Sequence, residues 1–369
     1  MRGLKLALLA AGVLALVNGM IVSQASSGPF VAKFNSVQTV ASTVPKNGDV
    51  NPYGLVVVPT SSSRLTAGNA LVSNFNGRRN LQGTGSTIVQ VSPSGSVSLF
   101  ASLDPNKLPG SCPGGVGLTT ALAVLRSGWV IVGSLPTKDG TSATMQAGCL
   151  IVIDHNGAPV ETISGGPING PWDMTALDNG SSATLFVTNV LNGTVAAGPN
   201  IVNGGTVVRI QLSLDGAVPS VASENVIGTG FAERTDPSAL VVGPTGVGLA
   251  RDGTLYVNDS VNSRIVSIPN AIARSGPTSG SLVSAGMNLN DPLGMAIAPN
   301  GDILTVNGGD GNLVETTPSG SQVAVKMLDT SPAPPGPNGN GTLFGVAVNA
   351  AKNGVLFVDD GTNTLNVLQ

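Results

Sequence analysis

Charge, aromatic rings, cysteine and histidine are all scarce in this 369-residue sequence, and each shortage closes a class of function. Only 10% of the residues are charged and 3% are aromatic, with a mean hydropathy of +0.28, which is too apolar for a disordered chain. The basic residues are few and scattered, so they form no patch for nucleic acid. A single histidine, His155, and two cysteines, Cys112 and Cys149, with no CxxC pair, leave too few ligands for a zinc or iron–sulfur site. His155 lies in the turn Asp154-His155-Asn156-Gly157, where a solvated turn residue is the plain reading. There is no serine–histidine–aspartate set, no HExxH, and no glycine loop in the strand-to-helix context that cradles a phosphate.

Long apolar runs are absent too, apart from one at the start. Arg2 and Lys5 precede the run Leu6 to Val17, and Ser23-Gln24-Ala25 offers a small-x-small cleavage site. Residues 1–25 therefore read as a secretory signal, leaving a secreted or periplasmic mature chain, 26–369, with no membrane span. A membrane anchor is the competing reading, but the run is shorter than the ~20 residues a span needs. Without Arg2 and Lys5, the 17 basic residues fall to 15 against 20 acidic ones, a net charge of −5. In an exported protein Cys112 and Cys149, which flank the second repeat, are candidates for a disulfide tying the loop that leads into the repeat to one of its outer strands.

What the sequence has in excess is turn formers, with Gly 50 and Pro 25, too many for a mainly helical chain. Residues 290–307 carry the organising pattern. Gly294 opens a small, apolar run, Pro299-Asn300-Gly301 reverses the chain, and Asp302 to Val306 climbs back to Asn307. The same grammar recurs. Inner strands beginning at Gly54, Gly117, Met174, Gly246, Gly294 and Gly345 define six units, which start near residues 51, 114, 169, 243, 290 and 341. A riser and a hairpin complete each unit at four strands, with hairpin turns such as Ser92-Pro93-Ser94-Gly95 and Thr317-Pro318-Ser319-Gly320. The sixth unit lacks its fourth strand, and Val37 to Val44 is left over before the first. Closing a ring with that strand removes the free sheet edges of an open array. The expected fold is all-β: a single-domain six-bladed β-propeller with four-stranded blades and an N-terminal strand completing the last.

The Pro-x-Gly strand starts, the Gly-x-(Leu/Ile)-(Tyr/Phe)-Val-x-(Asn/Asp) risers and the (Ile/Leu)-Val pair that follows resemble the NHL-repeat family of six-bladed propellers. Pro244-Thr245-Gly246 with Gly253-Thr254-Leu255-Tyr256-Val257-Asn258-Asp259 is among the best matches. The resemblance covers most of the mature chain and implies a fold rather than a function. The propeller lactonases typified by senescence marker protein 30 are similar in fold. That resemblance implies a metal held by carboxylate and asparagine side chains at the channel, several just before the inner-strand glycine. The comparable positions here are Tyr53, Val116, Trp172, Thr245, Leu293 and Phe344, and none is a carboxylate, although Asp173 is adjacent. Streptogramin lyases, also propellers, use a catalytic histidine, whereas His155 belongs to a turn on the face opposite the long loops.

Connections between blades are long and the turns within them are mostly short, so the long-loop face is the expected functional face. The riser ends Asn74, Ser134, Asn189, Asp259, Asn307 and Asp360 would form a polar ring there. They would either bind a ligand, with Asp259 and Asp360 offering oxygens to Ca²⁺, or cap their own turns. Tyr53, Trp172 and Phe344 would either form an aromatic channel mouth suited to a sugar, a peptide or an apolar small molecule, or fill it by packing between blades. Arg78, Arg79, Glu233, Arg234 and Asp236 read as solvated loop charges. Four Asn-x-Ser/Thr sites, at Asn179, Asn192, Asn258 and Asn340, are equally turn sequences. The leading expectation is an exported binding module for a small molecule, sugar or protein, with no cofactor beyond Ca²⁺. The alternatives are a hydrolase or lyase using Asp173, Asp259 or Asp360, and a structural envelope component.

Overall fold

The computed structural model describes residues 28–237 and 239–369, so the expected signal at 1–25 lies outside the described residues. Six antiparallel sheets form the blades of an all-β propeller. The inner strands are Val50–Val57, Leu118–Val124, Pro171–Asp178, Pro244–Leu249, Pro292–Ile297 and Leu343–Val348, and each pairs with the riser that follows it. Risers such as Ala70–Asn76, Leu255–Asp259 and Ile303–Asn307 are buried along their whole length, because blades cover both of their faces. This is why they read as nearly unbroken apolar runs rather than alternating ones.

The strand Val37–Ser42 closes the ring, pairing antiparallel with Thr364–Leu368 in the register Val37↔Leu368 to Ser42↔Thr364. Ahead of it, Phe30, Val31 and Phe34 pack with residues of blades five and six. Glu315, fully buried, holds this segment: its two carboxylate oxygens accept the Phe30 N–H at 2.6 Å and the Val31 N–H at 2.8 Å. Cys112 and Cys149 form a disulfide that joins the loop between blades one and two to the third strand of blade two.

Inner-strand glycines recur because neighbouring inner strands touch there. A Cβ at Gly294 would collide with Phe344 O, one at Gly345 with Tyr53 O, and one at Gly246 with Leu293 O. Two blades break the pattern. Pairing of Leu118 with Ser134 and Leu122 with Val132 leaves one more residue in the bulge of blade two than in the others, so Thr119 corresponds to Tyr53, and Gly117 and Val116 fall short of the ring. In blade three Asp173 stands where the glycine would be.

Blade three also departs from the four-strand expectation. Its fourth strand runs on through Ser220–Asp236, then folds back as a fifth strand, Leu240–Val242, in the register Arg234↔Val242 to Asp236↔Leu240. Much of what would be one of the long connections between blades is therefore strand.

Candidate functional site

The hairpin of blade three decides which end of the channel is open. Ala239 to Val242 are buried in one cluster with Tyr53, Phe75, Trp172, Leu293 and Phe344. Trp172 Nε1 donates to Val241 O at 3.0 Å, and Gln82 Nε2, from blade one, donates to Pro237 O at 2.9 Å. Tyr53 stacks between Phe344 and Phe75, with ring centroids 3.8 and 4.4 Å apart. Tyr53, Trp172 and Phe344 are 2%, 3% and 0% exposed. These rings are therefore the core of a plug across the long-loop end of the channel, and their faces are spent on one another.

The riser ends are mostly engaged by their own surroundings as well, although Asn74 Oδ1 and Asn189 Nδ2 are buried without a hydrogen-bond partner. Asn74 Nδ2 donates to Thr43 O and Thr87 Oγ1, Asn189 Oδ1 accepts Asn169 N–H, and Asn307 Nδ2 donates to Asn288 O and Asp310 Oδ1. Ser134 Oγ accepts Gly117 N–H and donates to Gly115 O. Asp259 is paired with Arg264 at 2.7 Å, and both its oxygens accept from Asn262. In blade six the residue at this register is Asp359, which pairs with Leu343, and not Asp360, which lies one step beyond the strand. Of the loop charges, Arg78 and Arg79 are exposed and Arg234 pairs with Asp236 at 2.7 Å. Glu233 is the exception: it is fully buried, accepting Asn192 N–H and Thr194 Oγ1, and desolvation pushes its carboxyl up to about 7.

Below the plug, the inner strands enclose a channel of about 310 Å³ that opens on the short-turn face. Its rim is Val57, Val124, Ala176, Leu249, Ile297 and Val348, all half-buried, whereas its base, at Thr120, Asp173, Gly294 and Gly345, is buried. The walls between are apolar side chains and the free edges of inner strands. Asp173 is the one acidic residue that lines it. Oδ1 accepts Met174 N–H at 2.8 Å, and Oδ2 accepts Val247 N–H at 3.3 Å across the blade boundary. Desolvation outweighs these two donors and raises the carboxyl to about 8, so Asp173 is largely protonated at neutral pH. His155 does not line the channel; it sits in the outer hairpin of blade two, where its carbonyl accepts Arg64 N–H.

A channel metal of the lactonase kind does not fit these residues. Counted in the observed register, the positions before the inner-strand glycine are Tyr53, Thr119, Trp172, Thr245, Leu293 and Phe344, with no carboxylate among them. Asp173 is alone, and both its oxygens face N–H donors, which disfavour a cation. Among the described residues no group of three or more His, Cys, Asp or Glu could hold a metal ion, and no helix is long and apolar enough to cross a membrane.

No protein-family model and no curated protein matches the chain. Solved structures do. The chain is similar to a streptogramin B lyase, at 16% identity over 90% of this chain and 97% of that one, with a TM-score of 0.52. It is similar to a gluconolactonase of Xanthomonas campestris, at 12% identity, covering 90% and 88%, TM-score 0.54. A luciferin-regenerating enzyme aligns at 11% identity over 90% and 95%, TM-score 0.55. These likenesses establish the fold and nothing finer.

Proposed function

We propose that this is an exported propeller that takes a small, largely apolar molecule bearing a hydrogen-bond acceptor into its central channel from the short-turn face. The observation that carries the reading is Asp173: a buried carboxylic acid, raised to about 8, at the base of an apolar lumen. A neutral acid there can donate to a carbonyl or ether oxygen, and the apolar walls supply the burial that makes one such bond selective. The lumen is at the small end of the usual range for ligand pockets, which suits a compact molecule. The disulfide supports export, since such bonds persist in oxidising compartments. For an organic ligand the short-turn mouth is favoured over the long-loop end of the channel, where the rings of Tyr53, Trp172 and Phe344 pack against the blade-three hairpin.

Prodan, a neutral naphthyl ketone whose emission shifts to the blue in apolar surroundings, tests this reading. Saturable binding is expected, to be lost in Ala347→Trp, which fills the wall, and weakened as pH rises past about 8 in the native protein but not in Asp173→Asn. No saturable binding, or equal binding by Ala347→Trp, would refute the reading and favour a purely structural role.

The second reading is a hydrolase or lyase acting in the same channel. An acid raised to about 8 is suited to moving a proton at neutral pH, and the similar folds include a lyase and a lactonase. Turnover abolished by Asp173→Asn with Prodan binding retained would favour this reading over the binder.

A further inference from the structure

On the long-loop face, at the seam between blades one and six, lies a second pit of about 340 Å³ that the channel does not reach. Asn51, Asn76, Asn80 and Gln82 come from blade one, and Asp360 and Asn363 from the riser turn of blade six. Two of its amide oxygens lack donors. Asn76 Nδ2 is spent on Asn80 Oδ1 at 2.7 Å, and the Asn51 amide is hydrogen-bonded to the Tyr53 hydroxyl. Asn51 Oδ1 and Asn76 Oδ1 are left buried with no hydrogen-bond partner, on residues only 5% and 3% exposed. Unmade bonds of this kind are costly unless something else fills them. The Asn51 backbone is held in place by Asn363 Oδ1, which accepts its N–H at 2.6 Å.

The acid in the pit also lacks a counter-charge. Among the described residues no lysine or arginine pairs with Asp360, the ion pairs being Asp104–Lys107, Asp178–Arg126, Asp236–Arg234 and Asp259–Arg264. Two further carboxylates lie near it, Asp359 and Asp329, and both are occupied: Asp359 accepts Thr362 N–H, and Asp329 accepts Ser331 N–H and Thr342 Oγ1.

We propose that this pit is a calcium site, in which Asp360 and the side-chain carbonyls of Asn51 and Asn76 bind a partly hydrated Ca²⁺ that bridges blade one to blade six. Hard cations take oxygen ligands, amide carbonyls included, and a pit of this width leaves room for several waters. A single carboxylate places the affinity at the weak end for calcium, on the order of 10⁻³ M. The ion would clamp the same seam that the N-terminal strand closes. This proposal stands apart from the channel reading, which involves none of these residues.

Terbium and calcium test it on chelator-treated, metal-free full-length protein. Tb³⁺ emission excited through tyrosine is expected, because Tyr53 contacts the ligand Asn51. It should be displaced by millimolar CaCl₂ and lost in Tyr53→Phe. Asp360→Asn, close in shape, and Asn76→Ala should each weaken Ca²⁺ at least tenfold while keeping the native circular dichroism. At 10 mM CaCl₂ the Tm of the native protein should rise by about 2 °C, and that of Asp360→Asn should not. Absence of Tb³⁺ emission and of any Ca²⁺-dependent Tm shift overturns the proposal, as does an equal response in both variants. Prodan binding should be the same with and without Ca²⁺, so that either reading can fail alone.

Discussion

Asp173→Asn replaces the buried acid by a group of the same shape that cannot titrate. In the folded protein the carboxyl is raised from 3.8 to about 8. Between these values the native state keeps a proton that the unfolded chain has released. The unfolded state therefore binds fewer protons, and stability falls as pH rises through that window, by about 1.4 kcal/mol per unit at most, then levels off above 8. The whole window amounts to a ceiling of about 6 kcal/mol. The other raised acids, among them Glu233, Asp291, Asp302 and Asp360, are common to both proteins and cancel in the comparison. Urea unfolding of the two at pH 5, 6.5, 8 and 9 measures the difference directly. Asp173→Asn, which mimics the protonated form, should be more stable than the native protein by about 1.6 kcal/mol at pH 5 and by about 5 kcal/mol at pH 8. A difference in stability that stays constant from pH 5 to pH 9 would refute the reasoning, and with it the claim that Asp173 is a neutral acid at work.

Replacing both cysteines by serine opens a loop with a sequence separation of 37, and chain entropy alone predicts a loss of about 4 kcal/mol, to be read from denaturant midpoints. Glu315→Ala removes the acceptor of two buried N–H groups, Phe30 and Val31. A loss of about 3 kcal/mol is expected, with faster hydrogen exchange at residues 30–34. Trp172→Phe keeps the ring but leaves Val241 O without its donor. This should cost about 1 kcal/mol and speed exchange at Val242 and the facing Arg234 without altering the blades.

The architecture was legible because its signals are local. Gly294, Pro299-Asn300-Gly301 and the riser to Asn307 lie within one hairpin, and six repetitions leave one strand over, which fixes how the ring closes. Positions that depend on register were harder. Asp359 and Asp360 are adjacent, and nothing in the sequence says which one ends the strand; the additional residue in the blade-two bulge likewise moved Thr119 out of view. The site was least legible. The run Ala239-Leu240-Val241-Val242 was a signal for the fifth strand, but its consequence, a plug that seals the long-loop end and buries Tyr53, Trp172 and Phe344, arises only from contacts between distant blades. Asp173 was visible as a lone carboxylate beside a motif. Its protonation is a property of its surroundings.

The closing strand has a consequence in time as well as in space. Thr39 and its partner Asn366 are separated by 327 residues, so during synthesis the first strand emerges long before anything exists for it to pair with. Five blades can form on the way, each from neighbouring segments, but the sixth is not complete until residues 364–368 are made and pair with the first strand. Assembly of the ring is therefore gated by its last step, the slow, long-range pairing that high contact order imposes. A chain so built stays incomplete, and open to handling by other factors, for nearly the whole of its synthesis.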